Sequence, residues 1–215
     1  MKKIIYFILL SFLITSCSNK NTDGQTDYKK EISSNLDNKE DIKVLEELRK
    51  HMDQGVYEYK TYDKVEKNII NKKIQAKSEK IEFLIINDND YYFNDGNNIT
   101  YANKEKNLYF QEKSNGIFED NIDEQSYYEE LFESGLKSIE INEDNIILHY
   151  KEDSFFKYDR KSLDLLEQEF VSGGKKVQEK LISKDIDVKS AYNKYIKVID
   201  GMQEAKTAGE VTGNE

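Results

Sequence analysis

Apolar positions along this chain are grouped, and the grouping changes period several times. Ile4 to Ile14 is an almost unbroken apolar run that follows Lys2 and Lys3 and closes at Ile14-Thr15-Ser16-Cys17. Ser18 to Glu40 is polar, with little that could enter a core. From Asp41 the apolar residues Ile42, Leu45, Leu48 and Met52 recur every three or four positions, predicting a helix that Gly55 ends. The period then falls to two. Val56–Val65, Ile69–Lys77 and Lys80–Ile86 read as strands, with Tyr91–Phe93 a short aromatic strand between Asn/Asp-rich turns at 87–90 and 94–98. Ile99 and Tyr101, then Leu108 and Phe110, mark two more strands around a Lys-rich turn at 103–107.

A second helix is expected over 124–134, capped by Asp123 and ended by Gly135, with Tyr128, Leu131 and Phe132 on one face. Strands resume at Ser138–Asn142, Asn145–Lys151, Phe155–Tyr158 and Leu163–Ser172. Gly173-Gly174 is the strongest hairpin signal, leading into Lys175–Ser183. Val188, Tyr192, Tyr195, Ile196, Ile199 and Met202 predict a closing helix. This order of elements implies an α+β fold: one large antiparallel, strongly curved sheet, an incomplete β-barrel, with helices packed on one face. The expected organisation is a signal segment at 1–16, Cys17 and a polar tether to residue 40, a single domain over 41–203, and a disordered tail over 204–215. A 23-residue flexible tether would span roughly 25 Å.

The N-terminal pattern has a mechanism of its own. About eleven apolar residues are too few to cross a bilayer as a helix, which needs about 20. A charged start, an apolar middle and a small-residue end suit secretion. Cys17 is the one cysteine, so it has no disulfide partner within the chain, and a thiolate there can accept a lipid. The segment resembles a bacterial lipoprotein signal peptide with its lipobox. That resemblance implies cleavage before Cys17 and a lipid attached to it, palmitate among its chains. The protein would then stand in the cell envelope, at the outer membrane or the extracytoplasmic face of the cell membrane.

Charge narrows the partners. Lys and Arg number 32 and Asp and Glu 42, a net charge of −10, which becomes −12 once Lys2 and Lys3 leave with the signal. Such a surface repels nucleic acid and anionic headgroups, so membrane contact is expected from the lipid and not from a basic face. A monomer is expected. Fifteen Tyr and ten Phe nevertheless supply bulky apolar surface for a core.

Catalytic patterns are missing. The chain has no G-x-S-x-G, Walker loop, H-E-x-x-H or G-x-G-x-x-G. A lipidated Cys17 offers no thiol, and His51 and His149 lie on different elements. The Asn/Asp clusters at 87–90 and 94–96 miss calcium-loop spacing and read as turns. No enzyme activity, catalytic residue, metal or cofactor is expected, and a secreted hydrolase is the least favoured reading.

A half-open barrel can instead shelter an apolar ligand. The candidate lining is Tyr57, Tyr59, Ile81, Phe83, Ile99, Tyr101, Leu108 and Phe110; the same pattern also suits a closed core. Tyr91–Tyr109, YYFNDGNNITYANKEKNLY, resembles the strand, Asp-Gly turn and aromatic strand of the periplasmic lipoprotein carriers and outer-membrane lipoprotein receptors. Phe156–Leu163 with the Gly173-Gly174 hairpin, and helices at 41–54 and 124–134, fall where that family has theirs. The resemblance implies an incomplete barrel around acyl chains. The expected function is a membrane-anchored, non-enzymatic lipoprotein that binds a hydrophobic ligand, an acyl chain or a lipoprotein. The alternative is an envelope interaction or structural lipoprotein with a filled core and a protein partner.

Overall fold

The computed structural model describes residues 27–36, 39–51, 54–117 and 123–213. The signal segment, Cys17 and Met52 lie outside them. Twelve strands form one sheet in the order β12-β6-β5-β4-β3-β2-β1-β11-β10-β9-β8-β7. The pairs with a defined register are antiparallel, except that β12 runs parallel to β6, and the sheet does not close into a barrel. The class is α+β, mostly sheet. The chain divides into two compact units: one holds residues up to His51, Asp63–Glu66 and Ile122–Gln178, the other Met52–Tyr62, Lys67–Asn121 and Glu179–Glu215.

The first unit carries helices α1 (Tyr28–Asn35), α2 (Lys39–Lys50) and α3 (Glu124–Glu133) with strands β7 (Leu136–Ile141), β8 (Asn145–Tyr150), β9 (Phe155–Asp159) and β10 (Leu165–Ser172). Alternation sets its buried face. Ile146, Leu148 and Tyr150 point one way from β8, and the register lays Ile139 and Phe156 on either side of Leu148. Ile32 of α1, Val44 and Leu45 of α2, and Tyr128 and Leu131 of α3 pack onto that face. The tether expected to reach residue 40 therefore stops short, because Tyr28, Ile32 and Leu36 recur every four residues and Asp27 caps the turn, accepting from the Lys30 N–H at 3.1 Å. Lys29 then pins α1 to both other helices, 2.5 Å from Glu46 and 2.6 Å from Glu124.

The second unit carries β1 (Gly55–Asp63, its last residue in the first unit), β2 (Ile69–Lys77), β3 (Glu82–Ile86), β4 (Asp90–Asn94), β5 (Asn98–Asn103) and β6 (Leu108–Lys113). The later part of β11 (Lys175–Asp185), helix α4 (Val188–Tyr195) and a 3-10 turn at Ile196–Ile199 follow. The two-residue turn into β11 uses Gly173 and Gly174 at φ +59° and +78°, the left-handed pair that a tight hairpin requires.

The tail also departs from expectation. Gln203–Glu204 form β12 beside Leu108–Tyr109, and Ala208–Thr212 form a short helix, α5. Its Val211 is buried, and Lys106 Nζ donates to the last carbonyls, of Glu210 and Val211, at 2.9 Å.

Candidate functional site

Strand register decides where the eight candidate residues stand. Directly opposed residues share a face, and one row runs Tyr57, Gln75, Leu84, Tyr92, Tyr101, Phe110 across β1 to β6. A second runs Tyr59, Lys73, Ile86, Asp90, Asn103, Leu108, and Ile99 opposes Asn94 on the same face. Six candidates thus share one face. Phe83 and Ile81 pack on the other, in the cluster beneath α4. The eight do not line one cavity.

The shared face changes character along the row. Tyr57 and Tyr59 are buried and stacked at 6.4 Å, with the Lys184 ammonium 5.2 Å above the first ring and that of Lys73 4.8 Å above the second. Lys73 also pairs with buried Glu179 at 2.9 Å, whose other oxygen accepts from Thr61 at 3.3 Å. Lysine stems and ion pairs fill this end. Towards β6 the face is half-buried and aromatic. Tyr92 and Tyr101 lie 5.6 Å apart, and burial pushes both phenols above their ordinary pKa, that of Tyr92 with help from the Glu82 carboxylate. The Tyr92 hydroxyl donates to Glu82 at 2.7 Å, and the fully buried Asn94 amide donates to the same oxygen at 3.2 Å and to the Gly116 carbonyl at 3.1 Å. Asn94 Oδ1 in turn accepts from the Ser114 hydroxyl and the Gly96 N–H, both at 2.9 Å. This network fixes the aromatic row from one side, on the same face.

Beneath α4 the opposite face is packed with rings. Phe83 lies 6.0 Å from Phe93 and 5.8 Å from Tyr195, and Phe93 meets Tyr192 edge-on at 5.8 Å. Beside this packed layer a cleft of about 320 Å³ opens between α4 and the sheet. Val56, Ile74, Ala191 and Tyr195 contribute its apolar lining; Glu58, Ser183, Asp185, Asp187, Ser190 and Lys194 contribute the polar part. Much of that polarity is engaged. Glu58 pairs with Lys72 at 3.0 Å, Asp185 accepts from the Asp187 N–H at 3.1 Å, and Asp187 caps α4 by accepting from the Ser190 N–H at 2.9 Å. None of these lining residues was among the eight. The alternation of Val56 with Tyr57 marked two faces, but nothing in the sequence said which one α4 would cover. A smaller cleft of about 170 Å³ in the first unit lies among Ile32, Leu36, Phe132, Gly135, Leu136 and Lys151.

The Asn/Asp clusters are spent on turns. Asn87 and Asp88 are left-handed at φ +54° and +52°, Asn89 accepts from the Glu105 N–H at 2.9 Å, and Asp95 accepts from the N–H groups of Asn97 and Asn98. Among the described residues no group of three His, Cys, Asp or Glu is placed to hold a metal ion. His149 lies 3.4 Å from Glu140 at the surface. His51 lies 3.9 Å from Asp164, and the Ser162 hydroxyl donates to that same carboxylate at 2.7 Å. An activated serine needs its base as hydrogen-bond partner, and here the proton faces the carboxylate.

No family model matches the chain, and no curated protein does. Among solved structures, an uncharacterized conserved protein from Thermus thermophilus aligns at 6% identity with a TM-score of 0.36, over 79% of this chain and 91% of that one. That similarity is too slight to carry a fold or a site across. No helix among the described residues is long and apolar enough to cross a membrane.

Proposed function

We propose that the protein is a membrane-anchored bacterial lipoprotein of the cell envelope that binds a hydrophobic ligand without transforming it. Support for the anchor is the charged start, short apolar run and Ser16-Cys17 junction, in a chain whose one cysteine stands at that junction. The observation that carries the binding reading is the cleft of about 320 Å³ between α4 and the sheet, within the range of small-molecule pockets. An incomplete barrel would hold an acyl chain in that layer, with Val56, Ile74 and Tyr195 as the apolar contacts. The ligand class is an acyl chain or a lipoprotein carrying one.

A second reading, an interaction lipoprotein with a protein partner, draws on the ring packing of Phe83, Phe93, Tyr192 and Tyr195, which fills part of the layer between α4 and the sheet. Native mass spectrometry of the purified protein, with lipid extraction, separates the two. Co-purifying lipid that is lost in Ile74→Glu supports the first; a lipid-free protein that crosslinks to one stoichiometric partner in cells supports the second. The anchor has its own test. Cys17→Ser is expected to leave the protein unprocessed or released, and normal membrane retention of that variant overturns the lipoprotein reading.

A further inference from the structure

The smaller cleft, in the first unit, is walled by Ile32 and Leu36 of α1, Phe132 of α3 and Leu136 at the start of β7, and Gly135 and Lys151 complete it. Ile32 is buried, and Phe132 is 40% exposed with its ring 5.5 Å from that of Tyr28. An apolar cavity of about 150 Å³ takes up a benzene ring, so an opening of about 170 Å³ has room for an apolar body of about six carbons.

One charged side chain stands among these walls, and its stem is held. The Lys151 N–H donates to the Gly135 carbonyl at 3.1 Å. Gly135 takes φ +75°, and a Cβ there would lie 2.5 Å from Lys151 Cδ, 2.7 Å from Cε and 2.8 Å from Cγ. The lysine stem thus occupies space that any other residue at 135 would fill. Its ammonium has no ion-pair partner among the described residues, and the flanking acids Glu133, Glu152 and Asp153 are not part of the lining. The larger cleft has the opposite balance, with Glu58, Asp185 and Asp187 against Lys194.

We propose that the smaller cleft binds a small amphiphilic carboxylate, its apolar body among Leu36, Phe132 and Leu136 and its carboxylate on the Lys151 ammonium. Apolar burial supplies most of the affinity, and the held lysine supplies orientation and the choice of charge. The site is separate from the cleft beside α4, and it rests neither on the lipid anchor nor on the acyl-chain reading.

The chain has no tryptophan, so Phe132→Trp reports from the cleft without background. The full chain in phosphatidylcholine nanodiscs is titrated with cyclohexanecarboxylate, cyclohexanol and cyclohexylammonium, which share one apolar body and differ in charge. The expected result is a saturable emission change, with the carboxylate binding about fivefold tighter than cyclohexanol and the ammonium weaker than both. Lys151→Met keeps the stem beside Gly135 and should bring the carboxylate down to the level of cyclohexanol. Saturation transfer from the chain with native Phe132 to cyclohexanecarboxylate, weakened in Lys151→Met, repeats the measurement without the reporter. Equal affinity for carboxylate and ammonium, an unchanged affinity in Lys151→Met, or no saturable binding overturns the proposal. Ile74→Glu, in the other cleft, should leave this titration unchanged while it removes co-purifying lipid, so the failure of either site is told apart from that of the other.

Discussion

The two units cover an antiparallel sheet in different ways. In the first, three helices lie over Ile146, Leu148 and Tyr150, and Lys29 cross-links them through Glu46 and Glu124. In the second, one eight-residue helix and a 3-10 turn cover a wider set of strands, and the gap is made up by rings from Phe83, Phe93, Tyr192 and Tyr195. The larger of the two clefts opens where the rings stop. Helix coverage, more than strand composition, decides where an antiparallel sheet stays packed and where it keeps an opening.

The sharpest way to test that contrast is to remove a ring. Phe93→Ala, at a fully buried site touching Phe83, Tyr91 and Tyr192, is expected to cost about 3–5 kcal/mol. Hydrogen exchange should quicken in β2–β5 and α4 while β7–β9 keep their protection; equal quickening in both would merge the two units. Ile32→Ala should cost about 2–4 kcal/mol by urea denaturation and release α1 before α2 or α3. If α1 keeps full protection, Lys29 and not Ile32 holds it. Tyr92→Phe removes the hydroxyl on buried Glu82, and a loss of about 1–3 kcal/mol is expected in the second unit alone.

Acid should weaken both units, the first more, because Glu46, Asp63, Asp159 and Glu169 are also held low there while the second unit adds Asp88. The hydrogen bonds of Ser126 hold Asp123 below its usual pKa, and those of Ser190 hold Asp187 below its own, one cap in each unit. A carboxyl depressed in the folded state stabilises above its unfolded pKa, near 4, and that stabilisation is lost as pH falls through the lower folded value. Urea midpoints should stay level from neutral pH to about 5 and decline in both units below about 4, more steeply in the first. A decline confined to one unit would show that its cap carries no weight.

Much of the fold was legible from period and punctuation. β2 matches its expected bounds, Ile69–Lys77, and Asp123 and Gly135 bracket α3 as expected. Two helices escaped because their signals are short. Tyr28, Ile32 and Leu36 are three apolar positions in a polar stretch, and Thr207-x-x-Glu210 ahead of Val211 is a capping pattern that begins six residues before Gly213. The candidate face was half legible. Alternation separates Tyr57 from Val56, yet period alone never says which side a helix more than 130 residues later will cover. Phe83 was grouped with Tyr101 for that reason, and the register parts them.

Docking of Ile32 among the helices of the first unit also sets a leash. With a lipid on Cys17, as proposed, ten residue steps separate the anchor from Asp27, and at about 3.5 Å each they reach no farther than roughly 35 Å whatever path they take. A tether running to residue 40 would have allowed more than twice that distance. So anchored, the body of the protein would be confined to a thin slab over the membrane and would search it in two dimensions. Within that slab even a millimolar-grade affinity for a lipid or a neighbouring envelope protein would be enough to keep it occupied.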